Sequence, residues 1–313
     1  MDNFSITILG SSSSLPTAKR NLSSQVVNIR GHLFLIDCGE GTQLQLRRHK
    51  FKIQRIDHIF ISHLHGDHYY GLIGLVSTMN MLGRSSELHI YCPSQLRDVI
   101  EMQLKVSDTK LRYLLTFHYL NFVSGELLFE NEAVTVQSIV LKHRIPCSGF
   151  IFKEKRKEKN IRKDVIEKYR IPLPAIEQIK KGSDFIQNGG QVIPNNELTV
   201  PLKMPRSYAY CSDTAYSESI IAEINGVDLL YHESTFMENK RDRARETYHS
   251  TTLDAANIAK SALVKQLIIG HFSARYKDLE PLLMEARTIF ENTELAEDGK
   301  SFEVSVGALS YDN

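Results

Sequence analysis

The sequence predicts an α/β fold of layered sheets covered by helices. Short segments rich in β-branched and aromatic residues come first, strands and helices then alternate, and the alternation returns after a polar interruption in the second half. The chain has 313 residues, 42% hydrophobic and 24% charged, which is enough for one large folded domain and leaves no room for extensive disorder. There is no short-period repeat of the solenoid kind.

Phe4 to Leu9, Gln25 to Ile29 and Leu33 to Ile36, separated by polar turns such as Arg30-Gly31, read as a β-meander. Glu40 to Lys50 has helical composition, Ile56 to Ser62 is an apolar strand, and Tyr69 to Leu82 reads as one helix. Leu88 to Cys92 is the next strand, and Pro93 suits the first turn of a helix reaching Val106. Ala133 to Leu141 and Ser148 to Phe152 are strands, with Cys147 and Gly149 expected to mark the turn between them. From Lys153 to Lys181, eleven Lys or Arg stand against five Asp or Glu, and Gly182 to Pro205 is rich in Asn, Gly and Pro. The rhythm then resumes with Tyr208 to Cys211, a helix from Ser217, Val227 to Tyr231, a helix from Thr251, and Gln266 to Ile269.

Thirty-eight Lys and Arg balance thirty-seven Asp and Glu, so attraction for a polyanion has to come from a local patch. Met1-Asp2-Asn3-Phe4 has no basic leader, and no apolar run nears the ~18 residues of a membrane span. A cytoplasmic protein without membrane contact is expected. Cys38, Cys92, Cys147 and Cys211 stand singly, with no C-x-x-C pair and no disulfide framework, and read as buried thiols.

The densest chemistry is Ser62-His63-Leu64-His65-Gly66-Asp67-His68, directly after Ile59-Phe60-Ile61. Alternate residues of an extended segment share a side, so His63 and His65 can grip one metal while the turn at Gly66 redirects Asp67 and His68 to a second. Imidazole and carboxylate donors suit zinc. Further ligands are expected where later strands of an α/β sheet end, and His143, Asp213 and His271 fall there. Each has a competing reading when taken singly: a hydrogen-bonded core histidine for His143 or His271, a helix cap near Ser217 for Asp213. Their joint placement favours the metal.

Together these residues resemble the metallo-β-lactamase fold and, within it, the ribonuclease Z family of tRNA 3′-processing endonucleases in its short form. The resemblance spans essentially the whole chain. It rests on Leu9-Gly10, Leu15-Pro16-Thr17 with Arg20-Asn21, Asp37-Cys38-Gly39-Glu40-Gly41-Thr42-Gln43, His63 to His68, Ser212-Asp213-Thr214, His232-Glu233, His249-Ser250-Thr251 and His271-Phe272-Ser273-Ala274-Arg275-Tyr276. It implies one αββα sandwich over 1–313, two Zn2+ per subunit, and a homodimer. Mn2+ or Fe2+ is compatible with the same donors. The implied reaction is metal-activated attack of water on a phosphodiester of precursor tRNA, leaving a tRNA 3′-hydroxyl and a trailer 5′-phosphate.

By the same resemblance His63, His65 and His143 hold one zinc, Asp67, His68 and His271 hold the other, and Asp213 bridges them. Asp67 also orients the attacking hydroxide, His249 protonates the leaving oxygen, and Glu233 fixes the tautomer and charge of His249. His232 ends a strand and is left out of the catalytic set. Asp37 to Gln43 is expected behind the metal loop. Lys19, Arg20, Asn21 and Arg275 are expected to contact RNA. The basic stretch 153–181 corresponds by position to a protruding arm that grasps tRNA, although Ile171-Pro172-Leu173-Pro174 lacks the glycine of the usual Gly-Pro tip.

A small-molecule metallo-hydrolase of the same fold, a phosphodiesterase or thioesterase, is the competing enzyme, and the cationic insertion weighs against it. A 3′-end nuclease with a whole domain between the bridging Asp and the last His does not fit the short spacing from Asp213 to His271. A metal-bearing RNA-binding module without catalysis is the third possibility, and the complete ligand set weighs against that.

Overall fold

The computed structural model describes residues 3–156, 158–200 and 204–305. The chain divides into two compact units, Met1–Glu154 with Arg206–Asn313, and Lys155–Pro205. The larger unit is an αββα sandwich. Its first sheet runs Ser301–Glu303, Phe4–Gly10, Ser24–Ile29, His32–Ile36, Ile56–Phe60, Leu88–Cys92, Leu115–Tyr119 from edge to edge. Pairing is antiparallel up to His32–Ile36 and parallel beyond it. The second sheet runs Thr293–Leu295, Gln266–Gly270, Leu229–Glu233, Ser207–Cys211, Cys147–Glu154, Val134–Leu141, Leu127–Glu130. Here the first four strands are parallel and the rest antiparallel.

Both faces of each sheet are covered, which is why many strands read as unbroken apolar runs rather than alternating ones. In Leu33-Phe34-Leu35-Ile36, Phe34 and Ile36 enter the core between the sheets beside Phe60, Phe150 and Phe152, whereas Leu33 and Leu35 turn outward onto Leu75, Val76 and Met79 of the helix Leu72–Met81. On the other side, Leu230, Leu267 and Ile269 pack against Ala255, Ala256 and Ala259 of the helix Thr252–Ser261. That helix starts at a capping box in which Thr251 and Asp254 exchange bonds. Each fully buried Leu, Ile or Phe contributes roughly 1.5–3 kcal/mol, so these three cores, not surface ion pairs, set the stability.

The structure departs from the sequence reading at several places. The segment expected as one helix from Tyr69 to Leu82 is two, Gly66–Tyr69 and Leu72–Met81. Gly71 lies between them, and a Cβ there would lie 2.2 Å from the carbonyl oxygen of Gly39, so this close approach admits only glycine. Cys147 and Gly149 do not mark a turn. They lie inside the strand Cys147–Glu154, where Gly149 admits a close neighbour: its Cβ would sit 2.5 Å from the Tyr210 carbonyl oxygen. The strands Leu115–Tyr119 and Leu127–Glu130 escape the pattern because they lie at sheet edges and bury little. Among the described residues no helix is long and apolar enough to cross a membrane.

The smaller unit holds the helices Lys163–Lys168 and Leu173–Lys180 and the paired strands Phe185–Ile186 and Val192–Ile193. Val165, Ile171, Ile179, Ile193 and Leu198 form its own core. It reaches well beyond the basic stretch 153–181, because Ile193 and Leu198 of the polar run supply part of that core. Asn195 ties the two parts together, donating from Nδ2 to the carbonyls of Ile179 (2.7 Å) and Ser183 (2.8 Å). Lys153 and Glu154 belong instead to the strand Cys147–Glu154 of the larger unit.

Where the larger unit is interrupted, Glu154 and Arg206 close its chain ends. Arg206 donates from Nε and Nη2 to the two oxygens of Glu154, each at 2.9 Å, and Glu154 N–H donates to the Arg206 carbonyl at 2.9 Å. Burial raises the Glu154 pKa, but the Arg206 bonds outweigh it and hold the carboxyl below its usual range. The contribution is therefore present above the ordinary carboxyl range and is lost as pH falls through the depressed value. Glu154→Gln should cost about 1–3 kcal/mol at neutral pH and flatten the acid side of the stability profile. Urea unfolding of both proteins at neutral and acidic pH measures this, and parallel pH profiles would refute it.

Candidate metal centre

The strand Ile56–Phe60 is an inner parallel strand of the first sheet, and the chain leaving its C-terminal end delivers the histidine loop. Ile61 N–H still bonds to the Tyr91 carbonyl (2.8 Å), and the Ser62 carbonyl accepts from Ser148 N–H (3.0 Å), which ties the loop to the second sheet. Beyond that point the backbone is extended, and His63 Nε2 lies 3.0 Å from His65 Nδ1. Gly66 opens the short helix Gly66–Tyr69, whose first turn carries Asp67 and His68.

The remaining members arrive from the ends of second-sheet strands. His143 lies in the connection after Val134–Leu141, Asp213 follows Ser207–Cys211, and His271 follows Gln266–Gly270. His63, His65, His143 and Asp213 form one group of potential ligands, and Asp67, His68 and His271 a second. Asp213 faces both. Its Oδ2 is 3.5 Å from His63 Nε2 and 3.8 Å from His143 Nε2, while its Oδ1 is 3.3 Å from His68 Nε2 and 3.2 Å from His271 Nε2. Asp67 Oδ2 lies 3.5 Å from His68 Nε2 and 3.4 Å from His271 Nε2.

The donor set fits divalent cations. His65 Nδ1 faces two other ring nitrogens, His63 Nε2 and His143 Nε2, at 3.0 and 3.1 Å, and one ring proton cannot satisfy both contacts. His68 Nε2 is buried without a hydrogen-bond partner. Burial, with its imidazole neighbours, holds His63 well below the usual imidazole range, and burial also lowers His65 and His143. Neutral imidazole is the form that donates a lone pair to a metal. Burial disfavours the charge on Asp213, but His271, His68 and His63 outweigh it and keep the carboxyl well below its usual range.

Three of the imidazoles, His143, His68 and His271, are oriented from behind. His143 Nδ1–H donates to the Tyr248 carbonyl (2.9 Å), which leaves Nε2 facing the cluster. Asp37 Oδ2 lies 2.8 Å from His68 Nδ1 and also accepts from Tyr210 (2.7 Å) and Ser62 (3.0 Å), while Oδ1 takes the Ser62 N–H (2.8 Å). Asp37 is fully buried with φ 53°. Thr235 Oγ1 sits 3.0 Å from His271 Nδ1. Neither Asp37 as the orienting group of His68 nor Thr235 is readable from spacing, although Thr235 does follow the His232-Glu233 pair closely.

His249 Nδ1 is 2.7 Å from Glu233 Oε1, and its Nε2 is 4.0 Å from Asp213 Oδ2. Glu233 is fully buried and also accepts from the N–H groups of Thr214 (3.1 Å) and Thr235 (3.0 Å). Burial lowers the His249 pKa, but the Glu233 charge and hydrogen bond outweigh it, and the imidazole is pushed up to about 9. His232 points into the protein interior, with Nδ1–H donating to the Glu233 carbonyl at 2.7 Å.

The four residues expected at RNA divide. Lys19 and Arg275 are exposed. Arg20 is 8% exposed and donates to the carbonyls of Tyr276 (2.8 Å) and Ser273 (3.2 Å). Asn21 donates from N–H (2.6 Å) and Nδ2 (2.9 Å) to Asp298. These two side chains are engaged within the protein, with partners that lie far along the sequence.

A family model described as Anti-Pycsar protein Apyc1 matches residues 4–162. The chain is 49% identical over 298 residues to a protein of Phocaeicola vulgatus named ribonuclease Z, covering 95% of this chain and 96% of that one. It is 49% identical over 304 residues to a ribonuclease Z of Parabacteroides distasonis, covering 97% and 100%. Among solved structures, human tRNase Z, short form, is similar at 27% identity with TM-score 0.70, covering 96% of this chain and all of that one. YhfI, a metallo-β-lactamase fold protein of Bacillus subtilis, shares the fold at 18% identity and TM-score 0.67 over 96% and 100% of the chains.

Asp37→Asn isolates the orienting charge, since Asn tolerates the left-handed backbone. It should weaken divalent-metal affinity by ~10–100-fold, read by competition with a chromophoric chelator. Affinity equal to that of the parent would sink the role given to Asp37.

Proposed function

The chain belongs to the ribonuclease Z family, and we propose that it is a metal-dependent endoribonuclease that cuts the 3′ trailer from precursor tRNA. The observation that carries this is near-half identity to proteins of that name over almost the whole length, together with a buried cluster whose donors converge from both sheets. Whole-length kinship and the basic 153–181 stretch favour this over a small-molecule phosphodiesterase or thioesterase.

His63, His65 and His143 would hold one zinc, Asp67, His68 and His271 a second, with Asp213 shared between them. The same nitrogen and oxygen donors accept Mn2+ or Fe2+. When bound, such a pair acidifies water and neutralises charge on the phosphodiester. The side chains do the rest. Asp67 accepts a hydrogen bond from the attacking water and orients it. His249, charged and held by Glu233, presents Nε2–H beside Asp213 and protonates the 3′ oxygen as its bond to phosphorus breaks. The products are a tRNA 3′-hydroxyl and a trailer 5′-phosphate.

Lys19 and Arg275 contribute phosphate contacts at the surface. The inserted unit, including Lys159, Arg162, Lys163 and Lys168, is the arm that holds the tRNA body, and the protein acts as a cytoplasmic homodimer. Supporting the role of the arm, the basic residues cluster in a unit with its own core, while the metal cluster draws its donors from the larger unit.

Two measurements test this reading. His249→Ala should lower kcat on precursor tRNA by ~10²–10⁴, with metal content and tRNA affinity unchanged, because a group that acts on the leaving oxygen contributes mainly in the transition state. Loss of metal in that variant would instead make His249 a ligand. Separately, replacing 155–205 by a short turn should weaken precursor-tRNA binding and flatten its salt dependence, since fewer counterions are released. Hydrolysis of bis(p-nitrophenyl) phosphate should continue. Undiminished tRNA binding would remove the arm from the account.

A further inference from the structure

The loop from Ser11 to Leu22 lies between two partners. On one side Ser12 N–H bonds to the Asn21 carbonyl (2.9 Å), which closes the loop neck, and Thr17 N–H bonds to the Arg20 carbonyl (2.9 Å). On the other side Phe272 N–H donates to the Ser11 carbonyl (2.9 Å) and Ser13 N–H to the Phe272 carbonyl (3.0 Å). The loop is therefore stitched to the segment immediately after His271.

His271 needs such support. Its φ is 58°, a left-handed conformation with no glycine to relieve it. Its own carbonyl is held by Thr235 Oγ1 at 3.0 Å. The turn that follows has carbonyls at Ser273 and Tyr276 facing inward, and both are capped by one guanidinium, that of Arg20. Burial lowers the Arg20 pKa and the Asp298 charge opposes that loss. Asp298 also fixes the neck, accepting from Ser11 Oγ (2.7 Å) and from both donors of Asn21.

We infer that Arg20 is a positioning residue of the metal centre: its planar fork sets the 273–276 turn and thereby holds His271 in the left-handed geometry that aims Nε2 at Asp67 and Asp213, with Asp298 anchoring the loop that carries it. Arg275 leaves the same turn, with Nε donating to Ser273 Oγ (3.0 Å) and its guanidinium 5.0 Å above the Phe236 ring. Lysine cannot substitute, because a single ammonium lacks the fork that spans two carbonyls.

The test compares Arg20→Ala, Arg20→Lys and Asp298→Asn with the parent in thermal stability and in three further readouts. These are Zn2+ affinity by chelator competition, kcat on bis(p-nitrophenyl) phosphate, and precursor-tRNA affinity measured with metal present. Arg20→Ala should lose ~10–100-fold in Zn2+ affinity and slow the small phosphodiester, while tRNA affinity holds. Arg20→Lys should regain thermal stability without regaining Zn2+ affinity, a split that a merely structural role would not produce. Asp298→Asn should shift the same readouts in the same direction by less.

The inference is overturned if tRNA affinity falls while Zn2+ affinity and small-substrate turnover stay at parent values, which would make Arg20 an RNA contact, or if no readout moves. Should Arg20→Ala fail to fold, parent-like Zn2+ affinity in both Arg20→Lys and Asp298→Asn overturns it equally. The RNA readout rests on the nuclease reading. If the parent leaves precursor tRNA uncut, that reading fails while metal affinity and small-phosphodiester turnover still decide the role of Arg20.

Discussion

A buried carboxylate placed between two sets of imidazoles is the constraint that organises this molecule. Asp213 turns one oxygen toward His63 and His143 and the other toward His68 and His271. A single charge in such a position, almost completely removed from water, is tolerable only with cationic or metal partners on both sides. Everything that fixes Asp213 therefore fixes the distance between the two donor groups. Its strand, Ser207–Cys211, pairs in parallel with Leu229–Glu233, and that strand with Gln266–Gly270. Sheet register thus places Asp213, Glu233 and His271 at neighbouring strand ends, and a slip of one residue would misplace them together.

The first sheet supplies the complementary half through a different device. Its parallel strand delivers a continuous run of ligands, so His63, His65, Asp67 and His68 need no long-range pairing to be recognised as a cluster. That is why this loop is readable in the sequence. His143, Asp213 and His271 are readable more weakly, as polar residues at the ends of apolar strands. Asp37 is placed behind this loop by the family resemblance, and its exact role is not readable from spacing, because it depends on Ser62, His68 and Tyr210 meeting it from three separate segments. Arg20 shows the opposite error. A cation in a polar loop reads as surface, and only the carbonyls of Ser273 and Tyr276, far along the chain, reveal that it is interior.

Secondary structure follows the same division between local and distant causes. The layered α/β class and the inner strands emerge from composition, since both sheet faces are buried. Gly149 misleads because its smallness serves close packing against Tyr210, not the turn chemistry that glycine usually signals. The helices of the inserted unit are short and charged, and their core is completed by Ile193 and Leu198 from a run whose composition suggests only a loop.

The closure between Glu154 and Arg206 has a consequence for how such a protein can diverge. Ser207 pairs with Lys153, so the two strands meet as neighbours across the point where the chain departs and returns. The larger unit sees the intervening residues only as a connection between two adjacent ends, the situation of an ordinary hairpin loop, where added length carries a slowly growing entropic cost. The segment is thus free to be lengthened, shortened or exchanged for another folded module without disturbing the strand ends that carry the ligands. On the proposed reading of this unit as the arm that holds RNA, substrate range can then evolve by replacing a cassette while the reaction chemistry is inherited intact.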